Sequence, residues 1–375
     1  MSARYILYLH IAFLWADSYS IKEVTYSINK YNLKVYEHII ILVSAMGGCN
    51  TKAASLEKNW DEAIVAIASK YGVSDVSVML KKDACFNEQV VEAAAHAYAG
   101  NRFFDGEPVH KWLYGPELVN RENCLKERCK LSRTLLRFVI GLYGTYPAMG
   151  RVLTILDQDQ KQFNYVESTN LFLVPKKKNV SSVSPADEGS PHRVPAGVGV
   201  VRLYSTGYEY EWGERTLWPH WLIASMGTDA DLPECFTDVN KRKEYDDFDG
   251  RGTAVSKLVE REQHRLFNNV PHIYLALIAI SPGAQGKGYA GRILKTITEV
   301  ADALHLPCYL EAAGGHLHHI FSRYGFRVSS SHTVEYSGTC IGDDQQQCSV
   351  LADFACMIRA PESLKEMPTI PNMSG

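Results

Sequence analysis

A buried strand, a glycine-rich loop and a helix follow one another between residues 272 and 304, and they constrain the fold more than any other stretch. Residues 272–280 (HIYLALIAI) form a continuous apolar run, which is typical of a strand buried on both faces. Pro282 ends the strand, because proline donates no hydrogen bond to a sheet. Beyond the glycines, apolar residues recur at helical spacing up to Leu304. This order predicts a unit whose loop lies at the N-terminus of a helix.

The loop in this unit has the composition of an anion-binding site. Gly286, Gly288 and Gly291 let the backbone approach a ligand closely, and the first N–H groups of the helix point toward the loop. A Walker A loop is excluded, because no Lys-Ser or Lys-Thr follows the glycines. The dinucleotide string G-x-G-x-x-G is present, but residues 281–285 separate it from its strand and little βα pattern follows it. The context therefore disfavours a dinucleotide site without removing the prediction of a bound diphosphate.

Residues 285–290 (QGKGYA) resemble the acetyl-coenzyme A signature (Q/R)-x-x-G-x-(G/A) of the GNAT superfamily of N-acetyltransferases. Glu311 ends the next predicted strand, and residues 321–326 (FSRYGF) are similar to the family's Y-E-K-L-G-F ending. The spacing resembles the branch that includes puromycin N-acetyltransferase, and the likeness is specific over residues 271–328. It implies an α+β protein with the GNAT acyl-CoA N-acyltransferase fold, in which helices flank a mixed central sheet with splayed strands.

The resemblance also implies a function, which is the direct transfer of an acetyl group from acetyl-coenzyme A to a primary amine of a small molecule. By resemblance, Glu311 is the candidate general base, and a backbone N–H near Ile278 polarises the thioester carbonyl. The residues that the resemblance assigns to the coenzyme are Ile278, Ala279, Ile280, Gln285, Gly286, Lys287, Gly288, Tyr289 and Ala290.

One position departs from the family pattern. The family usually places a tyrosine acid four residues before the glycine of its ending, and Phe321 stands there. Tyr324 lies almost a helical turn further along, so we expect its hydroxyl to be displaced. A thiol with a pKa near ~8.5 can leave as an anion, so transfer is not excluded. Because of Phe321, a second function stays open, which is an acyl-CoA-binding module with weak or no catalysis. In one form of this alternative, a lipid anchors the module to a membrane.

Composition argues against several other classes of function. The formal net charge of −3 over 375 residues gives no overall basic field for nucleic acid. The nine cysteines are an odd number without a C-x-x-C pair, which is unlike a zinc ribbon or a disulfide framework and favours a reducing, cytoplasmic location. His316, His318 and His319 lack zinc-ligand spacing. We therefore expect no metal site and no nucleic-acid partner.

The N-terminal stretch carries a conditional targeting signal. Residues 1–45 contain a signal-like apolar run that is too short to span a bilayer. In an alternative interpretation, these residues precede the true start of translation. Residues 46–51 (MGGCNT) match the myristoylation pattern, which requires Gly47 at the mature N-terminus, and Cys49 could accept a second acyl chain. If translation starts at Met46, the pattern predicts a membrane-tethered protein; otherwise the match is a coincidence without function.

The remaining sequence suggests three divisions. Residues 1–84 are interpreted as an N-terminal extension, residues 85–361 as the acetyltransferase domain with a flexible insertion at 175–193, and residues 362–375 as a tail. Apolar spacing predicts helices at 55–71, 87–98, 125–142 and 253–267. Strands are predicted at 76–80, 150–156, 162–166, 197–204, 308–311, 328–336 and 351–359, with the second and third forming a hairpin.

Overall fold

The computed structural model describes residues 51–99, 125–145, 150–157, 194–206, 255, 257–268, 270–314, 317–339 and 347–364. Several predictions lie outside these residues. They are the signal-like stretch 1–45, the acylation residues Gly47 and Cys49, the strand at 162–166, the insertion at 175–193, His316 and the tail beyond residue 364.

The described helices lie on both sides of one sheet. They are α1 (Thr51–Lys70), α2 (Ser77–Lys82), α3 (Ala84–Ala99), α4 (Leu125–Thr145), α5 (257–267), α6 (Tyr289–Leu304) and α7 (Leu317–Ser322). Short 3₁₀ turns occupy Pro282–Ala284 and Glu362–Leu364. No helix within the described ranges is both long enough and apolar enough to cross a membrane.

The described strands form a single mixed sheet. They are β1 (Ser74–Asp75), β2 (Arg151–Asp157), β3 (Val194–Tyr204), β4 (His272–Ile280), β5 (Cys308–Ala313), β6 (Arg327–Thr339) and β7 (Gln347–Arg359). Their order across the sheet is β1-β2-β3-β4-β5-β7-β6. Only β4 and β5 are parallel, while the other neighbouring pairs are antiparallel. This mixed sheet with flanking helices confirms the predicted α+β fold class.

Most predicted elements are present with small changes at their ends, but the strand predicted at 76–80 is wrong. The strand in this region is instead β1, at Ser74–Asp75, and the chain then forms the helix α2. The Asp75 carboxylate accepts hydrogen bonds from the Ser77 N–H at 2.9 Å and from the Ser77 hydroxyl at 2.6 Å, which redirects the chain. Val76 and Leu80 are buried whereas Val78 is 58% exposed, so this burial follows a helix rather than a strand.

One further expectation about strands is untested and another needs correction. The hairpin partner predicted for β2, at 162–166, lies outside the described residues; among the described strands β2 pairs with β1 and β3. β5 does not end at Glu311 but continues to Ala313, because β7 remains paired with it to that point.

The two faces of the sheet have separate cores. On one face α1 and α6 pack against the strands through Ile64, Ile293 and Leu294. On the other face α3 and α4 cover β2 to β4, and an aromatic cluster around Tyr309 contains residues of α5, β3, β4, β5 and β7. Val200 and Tyr204, which have the same parity on β3, belong to these two groups, so both groups lie on the same face.

Residues 51–84 take part in this sheet and its core. β1 pairs with β2, and Trp60 and Ile64 of α1 are buried beside α6. The division predicted at residue 84 stays a prediction, but the early segment packs as an integral part of the fold.

Candidate active site

The parallel strands β4 and β5 separate at the centre of the sheet. Their pairing consists of Ile273 with Cys308, Tyr274 with Tyr309, and Leu275 with Leu310. Beyond this point β4 remains paired with β3 as far as Ile280, and β5 remains paired with β7 as far as Ala313. A gap therefore opens between the two strands directly after Leu275 and Leu310.

A β-bulge in β4 coincides with the start of this gap. Val200 and Val201, consecutive on β3, pair with Leu277 and Leu275, so Ala276 is an extra residue on β4. A bulge bends its strand and increases the local twist. The bulge thereby provides a local reason for β4 to diverge from β5 at Ala276.

The backbone of β4 presents N–H groups to the gap. The Ser281 N–H donates to the Ala196 carbonyl of β3 at 3.0 Å. Because N–H groups alternate in direction along a strand, those of Ile278 and Ile280 face away from β3 and toward the gap. The carbonyls of the same two residues accept side-chain hydrogen bonds, from Tyr98 at 3.4 Å and from Gln285 at 3.3 Å. The orientation of Ile278 thus agrees with the role that the resemblance gives it.

The glycine loop lies between the C-terminal end of β4 and the first turn of α6. Gly286 and Gly288 have φ values of +80° and +78°, a conformation that favours glycine, and Gly288 is the residue that caps α6. No atom of the described residues lies within 4 Å of a Cβ placed at either position, so this part of the structure leaves the loop surface open. The first turn of α6 contains no acidic residue, and its N–H groups and helix dipole favour an anion there. These features fit a diphosphate.

The basic residues near the loop have different roles. Lys287 and Lys295 are exposed. Arg292 instead donates from Nε to the Tyr71 carbonyl at 2.6 Å and from a terminal nitrogen to the Gly72 carbonyl at 3.1 Å. The guanidinium of Arg292 is therefore occupied at the C-terminus of α1.

Glu311 is the first residue of β5 beyond the paired segment. The residue as a whole is partly exposed, but its carboxylate oxygen Oε1 is shielded from solvent. The Tyr274 hydroxyl donates to the other oxygen, Oε2, at 2.9 Å. Burial raises the pKa of Glu311 to about 7, although hydrogen bonds from Tyr309, Tyr274 and Gln263 act in the opposite direction. A carboxyl group with this pKa can exchange a proton near neutral pH.

The Phe321 ring and the Tyr324 hydroxyl lie in different places, as the sequence indicated. Phe321 is buried and packs edge-on against Phe326, with ring centroids 6.2 Å apart. The Tyr324 hydroxyl lies against Gly291 in the first turn of α6, where it leaves no room for a larger residue. The hydroxyl therefore lies beside the glycine loop, a contact that spacing along the sequence could not reveal.

A group of potential metal ligands lies on the aromatic face of the sheet. Donor atoms of Glu262, His332 and Cys356 lie within 4.8 Å of one another. However, Arg265 donates to Glu262 Oε2 from two nitrogens at 2.7 and 3.2 Å, and the Ser330 hydroxyl donates to the same oxygen at 2.7 Å. Since these donors already satisfy the carboxylate, the geometry favours a hydrogen-bonded cluster, and the expected absence of a metal stays a prediction.

Comparisons with known proteins give one curated relative. No protein-family model matches the chain. An uncharacterized N-acetyltransferase of Schizosaccharomyces pombe is 32% identical over 79 residues, which are 21% of this chain and 29% of that protein. The match therefore covers less than a third of the relative.

Solved structures also have detectable similarity to this chain. A histone acetyltransferase HPA2-related protein of Corynebacterium glutamicum shares 16% identity over 80% of this chain and 98% of its own, with a TM-score of 0.34. Arylalkylamine N-acetyltransferase 2 of Aedes aegypti shares 13% over 77% and 97%, with a TM-score of 0.36. Chaetomium thermophilum Naa20, solved with a bisubstrate analogue, shares 12% over 60% and 73%, with a TM-score of 0.28.

TM-scores of this size do not by themselves decide a fold. The strand order, the parted parallel pair and the glycine loop at the start of α6 do so. The chain has a GNAT-type N-acetyltransferase fold. The puromycin-like branch is not confirmed and stays a prediction.

Proposed function

We propose that this protein transfers an acetyl group from acetyl-coenzyme A to a primary amine of a small molecule. The observation that carries the proposal is the position of Glu311, whose carboxyl group has a pKa of about 7 and lies where β4 and β5 begin to part. A base at this place serves the transfer, because an ammonium group must lose a proton before its nitrogen can attack.

The glycine loop supports the choice of coenzyme. Gly286 and Gly288 leave the loop surface open, and the N–H groups at the start of α6 are suited to a diphosphate. Exposed Lys287 adds a positive charge beside them. When bound, acetyl-coenzyme A would supply the acetyl group as a thioester. The residues that would hold it are those from Gln285 to Ala290, with the edge of β4 from Ile278 to Ile280.

The gap between β4 and β5 supplies the other requirement of acyl transfer. A carbonyl oxygen gains negative charge as an amine attacks, and a fixed hydrogen-bond donor stabilises that charge. The N–H of Ile278 faces the gap and belongs to a strand that β3 holds in place. Glu311 borders the same gap from β5, so the proposed donor and the proposed base belong to the two strands that flank it.

A thiol-release assay tests the proposal directly. Purified protein is given acetyl-coenzyme A and a panel of small primary amines between pH 6 and 9, and coenzyme binding is measured separately by calorimetry. We expect binding together with amine-dependent thiol release. An absence of measurable affinity for acetyl-coenzyme A would refute the proposal.

The same assay distinguishes the alternative suggested by Phe321. Coenzyme binding without turnover on any amine would identify an acyl-CoA-binding module with no catalytic activity. The Phe321 ring is buried against Phe326, so no hydroxyl is available at that position to protonate a leaving thiolate. Transfer therefore depends on the thiolate leaving as an anion, and we expect slow turnover rather than none.

Location is a separate proposal with a separate test. We infer a cytoplasmic protein, tethered to a membrane through Gly47 and Cys49 if translation begins at Met46. The mass of the N-terminal peptide of the native protein decides between the starts. A native peptide from residues 1–45 would exclude myristoylation at Gly47.

A further inference from the structure

Two tyrosines, which form the middle pair of the β4–β5 register, face Glu311. Tyr274 and Tyr309 are direct neighbours across the parallel pair, and their ring centroids are 5.8 Å apart. Glu311 is two residues beyond Tyr309, so its side chain projects from the same face of the sheet. Both phenol groups therefore flank the carboxylate at the point where the strands part.

The two carboxylate oxygens have different surroundings. Oε2 accepts the hydrogen bond from Tyr274 at 2.9 Å. Oε1 of Glu311 and the hydroxyl oxygen of Tyr309 are both shielded from solvent, and within the described residues neither makes a hydrogen bond of normal geometry. Tyr309 still lies close enough for its hydroxyl to lower the pKa of Glu311. A buried hydroxyl without a well-formed bond is costly and calls for an explanation.

We propose that Tyr274 and Tyr309 are positioning residues for Glu311, with Tyr274 fixing Oε2 and Tyr309 sharing a proton with Oε1. This inference rests on the proposed function of Glu311 as a base, and it adds how that base is held through a change of charge.

A tyrosine hydroxyl suits this task because it can both donate and accept. When Glu311 is ionised, the Tyr309 O–H donates to Oε1. When Glu311 removes a proton from an ammonium group, an N–H bond breaks and an O–H bond forms on the carboxyl group. With this proton on Oε1, the carboxyl O–H donates to the Tyr309 oxygen, while the phenol hydrogen turns toward Cys356. Cys356 is paired with Glu311 across β5 and β7 and interacts with the Tyr309 hydroxyl.

Other groups on this face are accounted for. Besides the two tyrosines, Glu311 faces Gln263 of α5 and Cys356 of β7. On the same face of the sheet, the carboxylate of Glu262 forms an ion pair with Arg265 and lies beside His332 of β6. Burial raises the pKa of the Cys356 thiol, which favours its neutral form. The tyrosines are thus the groups whose removal should act most directly on Glu311.

The aromatic packing makes phenylalanine a conservative probe at both positions. The Tyr309 ring packs edge-on against Phe267 with centroids 5.5 Å apart, and the Tyr274 ring lies 6.4 Å from that of Tyr204. Tyr274→Phe and Tyr309→Phe therefore remove one hydroxyl each while they keep these ring contacts. A matched control is Tyr71→Phe, which removes a tyrosine–glutamate hydrogen bond to Glu299, on α6 at the opposite face.

The test is a ¹³C NMR titration of the Glu311 carboxyl group in [δ-¹³C]glutamate-labelled protein, with the signal assigned by its loss in Glu311→Gln. We expect the pKa of Glu311 to rise by about 0.4–1 unit in each tyrosine variant, since each hydroxyl favours the ionised form. It should stay unchanged in Tyr71→Phe. The acidic limb of the kcat/KM profile should move upward by the same amount, with KM for acetyl-coenzyme A unaffected.

An unchanged Glu311 titration in both tyrosine variants would overturn the proposal. A change in Tyr274→Phe alone would overturn the proton-sharing role of Tyr309. The NMR readout needs no substrate, so it still judges the positioning roles if no amine is acetylated, in which case only the proposed function fails.

Discussion

The two ends of the β4–β5 pair have different surroundings. At the paired end, residues 273–275 and 308–310 are buried except for the partly exposed Tyr274, and Ile273, Cys308 and Tyr309 have no exposed surface. At the parted end the strands keep their outer partners but not each other, and a buried carboxyl group and an open glycine loop lie nearby. The bulge at Ala276 marks the boundary. We infer that the paired end mainly stabilises the fold, and we propose that the chemistry takes place at the parted end.

Leu310 and Glu311 make this comparison in adjacent residues. Leu310 is buried in the core beneath α6, whereas Glu311 projects to the opposite face. If the comparison is correct, changes at these two positions should have opposite effects on turnover and stability.

The largest effect is expected for Glu311→Gln. Loss of the base should lower kcat by about 10²–10⁴-fold, while the protein should be no less stable, because a neutral amide replaces a buried acid. Steady-state kinetics and thermal unfolding measure the two quantities. Glu62→Gln, at an exposed position of α1, is the matched control and should behave as the wild type. Full turnover in Glu311→Gln would remove Glu311 from the mechanism.

Leu310→Ala should have the opposite profile. Truncation of this buried side chain is expected to lower the free energy of unfolding by about 2–5 kcal/mol, while kcat per folded molecule changes little. Denaturant unfolding measures the loss. Val65→Ala, whose side chain is 66% exposed, serves as the control and should change stability by less than about 0.5 kcal/mol. A large loss of kcat with unchanged stability would contradict the division.

The pH dependence of stability sharpens the comparison further. The pKa of Glu311 is about 7 in the folded protein, above the value of about 4.5 for a free carboxyl group, so the folded state binds the proton more tightly. The stability that Glu311 adds to the folded state is therefore fully present below pH 4.5. It is lost as the pH rises to 7, which lowers the free energy of unfolding by about 3 kcal/mol. The difference in unfolding free energy between wild type and Glu311→Gln isolates it. A difference independent of pH would show that Glu311 titrates normally.

A modest loss of stability is expected for substitutions at two glycines with positive φ. Gly288→Ala and Gly325→Ala both place a side chain at a positive φ, which costs about 1–2 kcal/mol. Only Gly288→Ala should also weaken acetyl-coenzyme A binding, because Gly325 precedes β6 and contacts Arg359 instead. Calorimetric titration with acetyl-coenzyme A provides the measurement. Equal affinities in the two variants would place the coenzyme elsewhere.

Much of the central unit could be predicted from local sequence. The apolar run at 272–280, the glycines and the periodic helix to Leu304 each have a local signal, and the structure has all three elements. The sequence also placed Glu311 at the end of the next strand, but β5 continues to Ala313, and the role of Glu311 as a base stays a prediction. The prediction of a strand at 76–80 failed because the spacing of Val76 and Leu80 fits either a helix or a strand. The contact that decides between them is the hydrogen bond from Ser77 to Asp75.

The surroundings of Glu311 could not be predicted in the same way. Tyr274 lies 37 residues before it, and only the register of the parallel pair brings that hydroxyl to the carboxylate. The bulge at Ala276 gives no sequence signal, because alanine is compatible with a regular strand. Local sequence patterns therefore predict the strands and helices, whereas contacts that depend on long-range strand register become visible only in the structure.

Arg292 links the beginning of the described chain to the coenzyme loop. It holds the last carbonyls beyond α1, at Tyr71 and Gly72, from a position one turn into α6. Shortening the protein to start at residue 74 would free this side chain to reach the loop or the solvent. A version that starts at residue 74 should therefore differ in ligand affinity from the full chain, because Arg292 loses both carbonyl partners.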